Sequence, residues 1–330
     1  NPCRLRSASS SLAEGTKIKK LFVVIRIIKK YLSSVLKRIF DEEVQKELVL
    51  KGKSFSLKNR NIKKIKDLSD VEFQVFSQWG EDGIIDWLIS KFPKIPKNFL
   101  EIGTQDYKES NTRFLLINKN WNGYLIEANK KDVDKIKSQR IYWQHNLKIK
   151  NKFITKSNIN NVVKELKVPK KLGLLSLDID GIDYWIIKKL FILKPSIIIC
   201  EYNSLFGSNK SVTVPYKKHF FRSKEHYSNL YYGASISAFK NLMKVNNYSL
   251  IGTNSAGNNA FFLKKDLWKK IDKLVTKKKI FSSKFRESRN SSGNLTFLDK
   301  KKSISLIKKK FIIDLKSKTK KRIAEINLLD

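Results

Sequence analysis

The sequence predicts an α/β fold with a mostly parallel sheet, and three observations carry that prediction. Between residues 70 and 266, short apolar runs alternate with helical patterns. Polar and acidic residues directly follow the apolar runs. The series then closes on two strand-like segments joined by a turn-rich stretch. Strands alternating with helices imply right-handed crossovers and parallel pairing.

The elements follow in chain order. Residues 98–103 read as a buried strand, 123–128 as a second, 152–155 as a weaker third, 174–179 as a fourth and 196–202 as a fifth. Helical patterns at 112–119, 131–137, 161–166 and 184–193 separate them. Segments 249–253 and 260–264, joined by Asn254-Ser255-Ala256-Gly257-Asn258, form a terminal hairpin. The total is seven strands, the last pair antiparallel.

Extensions flank this 70–266 domain. The chain opens on Asn, and residues 1–16 are set aside as a fragment end. Within the 1–69 extension, apolar residues at 21, 24, 25, 28, 31, 32, 35, 36 and 39 form the stripe of an amphipathic helix over 21–40. Its other face carries Arg26, Lys29, Lys30, Lys37 and Arg38, which excludes a membrane span and argues against a secretory signal. Two readings stay open: a helix packed on its own domain, and one lying in an anionic membrane interface. The 267–330 extension is Lys-rich and reads as mainly helical, interrupted at Ser291-Ser292-Gly293-Asn294, with no second site.

The chain holds 69 Lys and Arg against 30 Asp and Glu, a formal charge of +39. Such a surface attracts polyanions, so nucleic acid and anionic membrane both enter as partners. The basic runs sit among aliphatic residues instead of interleaved aromatics, which disfavours a single-strand binder. Cys3 and Cys200 are too few for a disulfide framework, which points to a reducing, cytoplasmic setting. Cys200, in an apolar run, reads as a core thiol.

In an open parallel sheet, ligands bind at the carboxyl ends of the strands. Those ends read Glu101-Ile102-Gly103-Thr104-Gln105-Asp106, Glu127-Ala128-Asn129, Asp178-Ile179-Asp180-Gly181 and Glu201-Tyr202-Asn203. Gly103 permits a tight turn and close backbone approach. Glu127 lies 24 residues beyond it (103 to 127), near the ~20-residue spacing at which an acid meets ribose hydroxyls.

The order and wording of several segments resemble the FkbM family of S-adenosylmethionine-dependent methyltransferases. The segments are Ser77-Gln78-Trp79-Gly80-Glu81-Asp82, 99–106 with Ser110-Asn111-Thr112, 121–129, and 175–181. The resemblance implies a Rossmann-like class I methyltransferase sheet with a reversed terminal hairpin. It implies O-methylation of a sugar, glycan or related small-molecule hydroxyl, with S-adenosylmethionine as cofactor. By that analogy Glu101, Gly103, Gln105 and Asp106 line the methionine part, Glu127 meets the ribose, Ser157 and Asn158 the adenine edge, and Asp178 the amino group or the substrate. One departure stands out: Tyr107 occupies a position where the family usually has glycine. It could narrow the pocket, move the loop or mark loss of the cofactor.

Methyl transfer to a hydroxyl needs in-line approach and a base. Asp180, Glu201 and His226 are the catalytic candidates, with His219 a further one. Asp178 and Asp180, two apart, would share a face and raise one another's pKa. Asp180 reads equally well as a helix cap. The pair also suits a divalent metal, but no third ligand is evident and none is assigned. The stretch 219–237, with Arg222, Tyr227, Tyr231, Tyr232 and Ser235, has the side chains of an acceptor-recognition element. The competing reading is a non-catalytic protein of this fold that binds nucleic acid or an anionic glycan. An RNA methyltransferase ranks last, without the Asn-Pro-Pro-Tyr-like or catalytic-Cys motifs.

Overall fold

The computed structural model describes residues 3–284 and 288–328, with the side chains at 3–24, 34, 37 and 38 outside the described residues. Cys3 and part of the 21–40 stripe therefore fall outside them. The chain divides into two compact units, Asn1–Lys51 and Gly52–Asp330. Among the described residues, no helix is long and apolar enough to cross a membrane.

Ten strands and eleven α-helices are described. Helix α1 runs Cys3–Asn61 and α2 Glu81–Lys91. Then follow β1 (Asn98–Ile102), α3 (Arg113–Lys119), β2 (Asn122–Glu127), α4 (Lys130–Ser138), α5 (Arg140–Gln144) and β3 (Leu147–Asn151). Next come α6 (Ile159–Glu165), β4 (Leu174–Leu177), α7 (Asp183–Leu190), β5 (Ile197–Glu201), β6 (Val212–Thr213) and α8 (Arg222–Glu225). The chain continues through α9 (Ile236–Val245), β7 (Tyr248–Thr253), β8 (Asn259–Lys264), α10 (Lys265–Ile271), α11 (Lys300–Ile307), β9 (Phe311–Asp314) and β10 (Thr319–Arg322).

Seven strands form one sheet in the order β3-β2-β1-β4-β5-β8-β7. The first five are parallel and β8 and β7 antiparallel, giving the expected Rossmann-like, mostly parallel seven-stranded sheet with a terminal antiparallel hairpin. Side chains alternate across it, as the strand period of two requires. Leu100, Ile102, Leu175, Leu177 and Ile198 enter one core, whereas Phe99, Leu125, Leu174, Ile197 and Ile199 enter the other.

Two expectations are corrected. The third strand is 147–151, not 152–155. Its Leu-Lys-Ile-Lys-Asn sequence alternates because β3 is an edge strand with one face in solvent, so it lacks the apolar run of the central strands. The 267–330 segment is not mainly helical. It holds α11 and a β9–β10 hairpin that joins β6 in a three-stranded sheet, anchored by fully buried Ile312.

The Ser77-to-Asp82 motif builds the entry to α2. Asp82 Oδ2 accepts from the backbone N–H groups of Val75, Phe76 and Ser77 at 2.7–2.8 Å, and from Ser77 Oγ at 3.0 Å. Glu81 Oε1 accepts from Asn254 and Asn259 Nδ2 at 2.7 and 2.8 Å, which ties α2 to the β7–β8 hairpin. Asn254 Oδ1 in turn accepts from the N–H groups of Gly257, Asn258 and Asn259, each at 3.1 Å.

Asp82 to Ala strands three buried N–H donors, and we expect a loss of about 3 kcal/mol or more by urea denaturation. Burial raises Asp82 from 3.8 to about 6. The folded state then binds more protons than the unfolded one across that interval, so this residue's contribution to stability falls as pH rises from about 4 to 6. Asp82 to Asn, which keeps an acceptor, should flatten that part of the stability–pH curve.

Candidate active site

A cavity of about 250 Å³ opens at the carboxyl ends of β1, β2 and β4, where the order of strands reverses about β1. Gly103 forms its floor at φ +84°. A Cβ there would stand 1.7 Å from the carbonyl oxygen of Asp178, so any side chain collides with the backbone beyond β4. Glu127 Oε2 accepts from the N–H groups of Thr104 and Gln105 at 3.0 and 2.8 Å, and Oε1 accepts from Asn129 N at 2.8 Å. Oε2 is taken by its two donors whereas Oε1 keeps a lone pair, and Glu127, Gln105 and Gly103 all line the cavity.

Tyr107 does not narrow this space. It has φ +60°, the conformation glycine favours, and its ring is fully buried away from the cavity. Its hydroxyl lies 2.9 Å from Thr112 Oγ1, and its carbonyl accepts from Arg113 at 2.8 Å. Glu101 does not line the cavity either. It is buried and accepts from Ser110 Oγ at 2.7 Å, Asn111 N at 3.0 Å and Thr112 Oγ1. It therefore clamps the loop after β1 instead of offering oxygens to a ligand. Asp106 faces away too, accepting from Lys108 N at 3.1 Å while its carbonyl accepts from Gln139.

Ile102, Ile126, Ala128, Phe153 and Ile154 make an apolar slot beside Glu127. Ser157 and Asn158 stand outside it. Asn158 Oδ1 accepts from Thr155 N at 2.8 Å and its Nδ2 donates to Phe153 O at 2.8 Å, while Ser157 Oγ lies 3.0 Å from Thr155 Oγ1. Both shape the turn that presents Phe153 and Ile154.

Asp178 and Asp180 line the opposite wall, and a carboxylate oxygen of buried Glu201, which does not line the cavity, comes within 4.8 Å of theirs. The sequence offers the first two as a pair, and the β4–β5 pairing brings in Glu201. Glu201 is 8% exposed, and burial, then the charges of Asp178 and Asp180, raise its pKa well above the ordinary range. Asp178 is raised by burial and then by Asp180. Asp180 sits at φ +55° with its side chain about half in solvent and pairs with Arg222 at 2.6 Å. It is not the cap of α7. The N-cap is Ile182, without a side-chain bond, and Asp183 at the first helical position instead ties down the loop after β4, accepting from Ile179 N and Gly181 N at 2.9 Å each and raised by burial to about 6. Three convergent oxygen donors could hold a hard divalent cation. Desolvation of Asp178 and Glu201 beside one guanidinium equally suits a proton acceptor.

Arg222 is the functional residue that strand-end reasoning underweights. It stacks 3.7 Å from the Tyr232 ring centroid and donates through Nε to Asn229 O, contacts that only the folded 219–237 segment supplies. His226 lines no described cavity. Its Nδ1 lies 2.7 Å from Ser228 Oγ, its ring packs on Tyr227, and burial and Lys310 lower its pKa. His219 is exposed, 5.8 Å from the Phe153 ring. Cys200 is a buried thiol whose pKa burial pushes up, as a core position implies.

No family model matches the chain, and no curated protein matches it. Among solved structures, it is similar to an O-methyltransferase from Bacillus cereus in complex with SAH, at 16% identity over 51% of this chain and 72% of that one, TM-score 0.32. It is also similar to a protein described as an RNA methyltransferase from Pyrococcus horikoshii, at 9% identity over 65% of this chain and 96% of that one, TM-score 0.34. An O-methyltransferase family protein from Burkholderia thailandensis follows, at 10% identity over 56% and 58%, TM-score 0.33. Superpositions this loose carry no argument about activity.

Gly103 to Ala should reduce ligand affinity of the crevice at least tenfold or destabilise the β1–β4 junction at the centre of the sheet, read by calorimetry and melting temperature. Unchanged values would mean that the Gly103–Asp178 approach is not tight.

Proposed function

We propose that this chain is an S-adenosylmethionine-dependent methyltransferase of FkbM type that methylates a hydroxyl of a sugar or glycan. The observation that carries this reading is the crevice itself: a glycine floor, an apolar slot, Glu127 beside that slot and an acidic cluster facing it, in a chain otherwise dominated by cations.

These residues fit the cofactor. Gly103 lets a ligand approach the backbone, Glu127 Oε1 has a lone pair for a ribose hydroxyl, Phe153 and Ile154 suit an adenine face, and Asp178 complements a cationic amino group or sulfonium. When bound, S-adenosylmethionine supplies an electrophilic methyl carbon whose C–S bond breaks as a C–O bond forms, leaving a neutral thioether. The chain's own part is to place the acceptor hydroxyl in line and to take its proton. Glu201 is assigned as the base, because its buried carboxylate lies within 4.8 Å of those of Asp178 and Asp180, and burial and their charges raise its pKa well above the ordinary carboxylate value. Arg222 holds Asp180 and offsets the charge of the cluster.

Calorimetric titration with S-adenosylhomocysteine tests the reading, with micromolar binding expected. Glu127 to Ala should weaken it at least tenfold. Glu201 to Gln should leave that affinity within about twofold and cut turnover ~100-fold or more. Since a base works unprotonated, turnover should rise with pH through the raised pKa of Glu201. A folded chain that does not bind S-adenosylhomocysteine would instead be a non-catalytic protein of this fold.

We also infer that α1 docks the enzyme on anionic membrane from the cytoplasmic side. Ile28, Tyr31, Leu32, Leu36, Ile39 and Phe40 are each half or more exposed, and Arg26, Lys29 and Lys30 lie among them. Residues 17–40 contain no Asp or Glu. That combination suits an interfacial helix over anionic headgroups. Co-sedimentation with phosphatidylserine vesicles should exceed that with phosphatidylcholine alone, and Leu32 to Asp with Leu36 to Asp should abolish it.

A further inference from the structure

The loop before α8, Glu225 at the end of that helix and the β9–β10 hairpin enclose a cavity of about 370 Å³. Four of its nine lining residues are lysines, Lys217, Lys309, Lys310 and Lys320, whereas Lys and Arg make up 69 of the chain's 330 residues. Three of the four come from the 267–330 extension, where the sequence shows no second site. The hairpin fold gathers them at one cavity with Lys217.

The ammonium groups are placed in advance. Lys310 Nζ donates to the Glu225 carbonyl at 2.6 Å and stands 4.8 Å from the Tyr231 ring centroid. Lys320 Nζ stands 4.5 Å from the Phe311 centroid. The Glu225 carboxylate is shared, paired with Lys217 through Oε1 and 3.8 Å from Lys310 through Oε2. One carboxylate among four ammonium groups leaves the lining with three net positive charges (four minus one). Like charges gathered at one concavity repel, and an anion that enters relieves the repulsion. Pro215 and Phe220 in the wall lower the local polarity and so strengthen that attraction.

Phe220 also fixes where the cavity lies, because it lines the crevice as well. Its ring seats on Gly181, where a Cβ would come within 2.4 Å of it. A group held by the lysines therefore stands across one phenyl ring from the crevice.

We infer that this cavity is a binding site for a phosphate group carrying two or more negative charges, a phosphomonoester or a diphosphate. An ammonium is a compact donor of three hydrogen bonds with no preferred plane, which suits the tetrahedral oxygens of phosphate, whereas a planar carboxylate is matched by a guanidinium fork. A single carboxylate would also leave most of the excess charge in place. Nothing in this lining depends on the methyltransferase reading.

The test is calorimetric titration of the full chain with inorganic pyrophosphate and, at the same ionic strength, with succinate. Pyrophosphate should raise the melting temperature and bind at least tenfold more tightly than the dicarboxylate. Lys309→Glu with Lys320→Glu, both on exposed positions, should weaken it at least tenfold. Lys309→Ala with Lys320→Ala, expected to cost about threefold or more, serves if the first pair does not fold. Lys94→Glu with Lys171→Glu makes the same charge change on exposed positions beside the amino ends of β1 and β4, and should leave affinity within about twofold. No pyrophosphate binding, equal affinity for succinate, or equal losses in the two Glu pairs would overturn the inference. Co-sedimentation then separates the sources of the phosphate, using phosphatidylcholine vesicles that carry phosphatidylinositol 4-phosphate or, at equal charge, phosphatidylserine. A preference for the phosphomonoester lipid that the Lys309 and Lys320 variants lose assigns the site to a headgroup, and no such preference assigns it to a soluble ester. Failure to bind S-adenosylhomocysteine would sink only the methyltransferase reading.

Discussion

The backbone contact between the ends of β1 and β4 governs this structure. Gly103 and the Asp178 carbonyl approach so closely that no Cβ fits between them, and the crevice exists because two strand ends can meet there without side chains intervening. From that contact the chain turns in two directions. The loop after β1 is pinned below by Glu101 and above by Glu127, while the loop after β4 is pinned by Asp183. In each case a buried carboxylate gathers the donors of its loop, hydroxyls and one backbone N–H for Glu101 and backbone N–H groups for Glu127 and Asp183.

This division of labour explains which parts of the site are legible in the sequence. The central strands, the terminal hairpin and the acidic strand ends are written as apolar runs with polar stops, so β1, β2, β4 and β5 are recoverable almost to the residue. What a run cannot reveal is the direction of a carboxylate. Glu101 and Glu127 occupy equivalent strand ends, yet one faces inward to its own loop and the other keeps a lone pair toward the crevice. Asp106, Ser157 and Asn158 are likewise spent on local turns. Side-chain direction past a strand end depends on left-handed residues such as Gln105, Tyr107 and Asp180, and only the glycine among such positions announces itself in sequence.

Longer-range convergence is less legible still. Glu201 joins Asp178 and Asp180 through strand pairing, and Arg222 reaches Asp180 across 42 positions. The edge strand β3 lacks an apolar run because solvent takes one face, and β9 offers only the short Phe311-Ile312-Ile313 run between Lys310 and Asp314. Lys-rich segments obscure both, since a lysine stem packs as readily along a strand as along a helix.

Arg222 lines a second cavity, of about 350 Å³, and bonds Asp180, which lines the crevice. A ligand that moves it from one side changes what the other side offers, and linkage makes such an effect equal in both directions. Occupancy of the crevice and occupancy of the second cavity are then one coupled equilibrium, in which the order of addition alters the route but not the final complex.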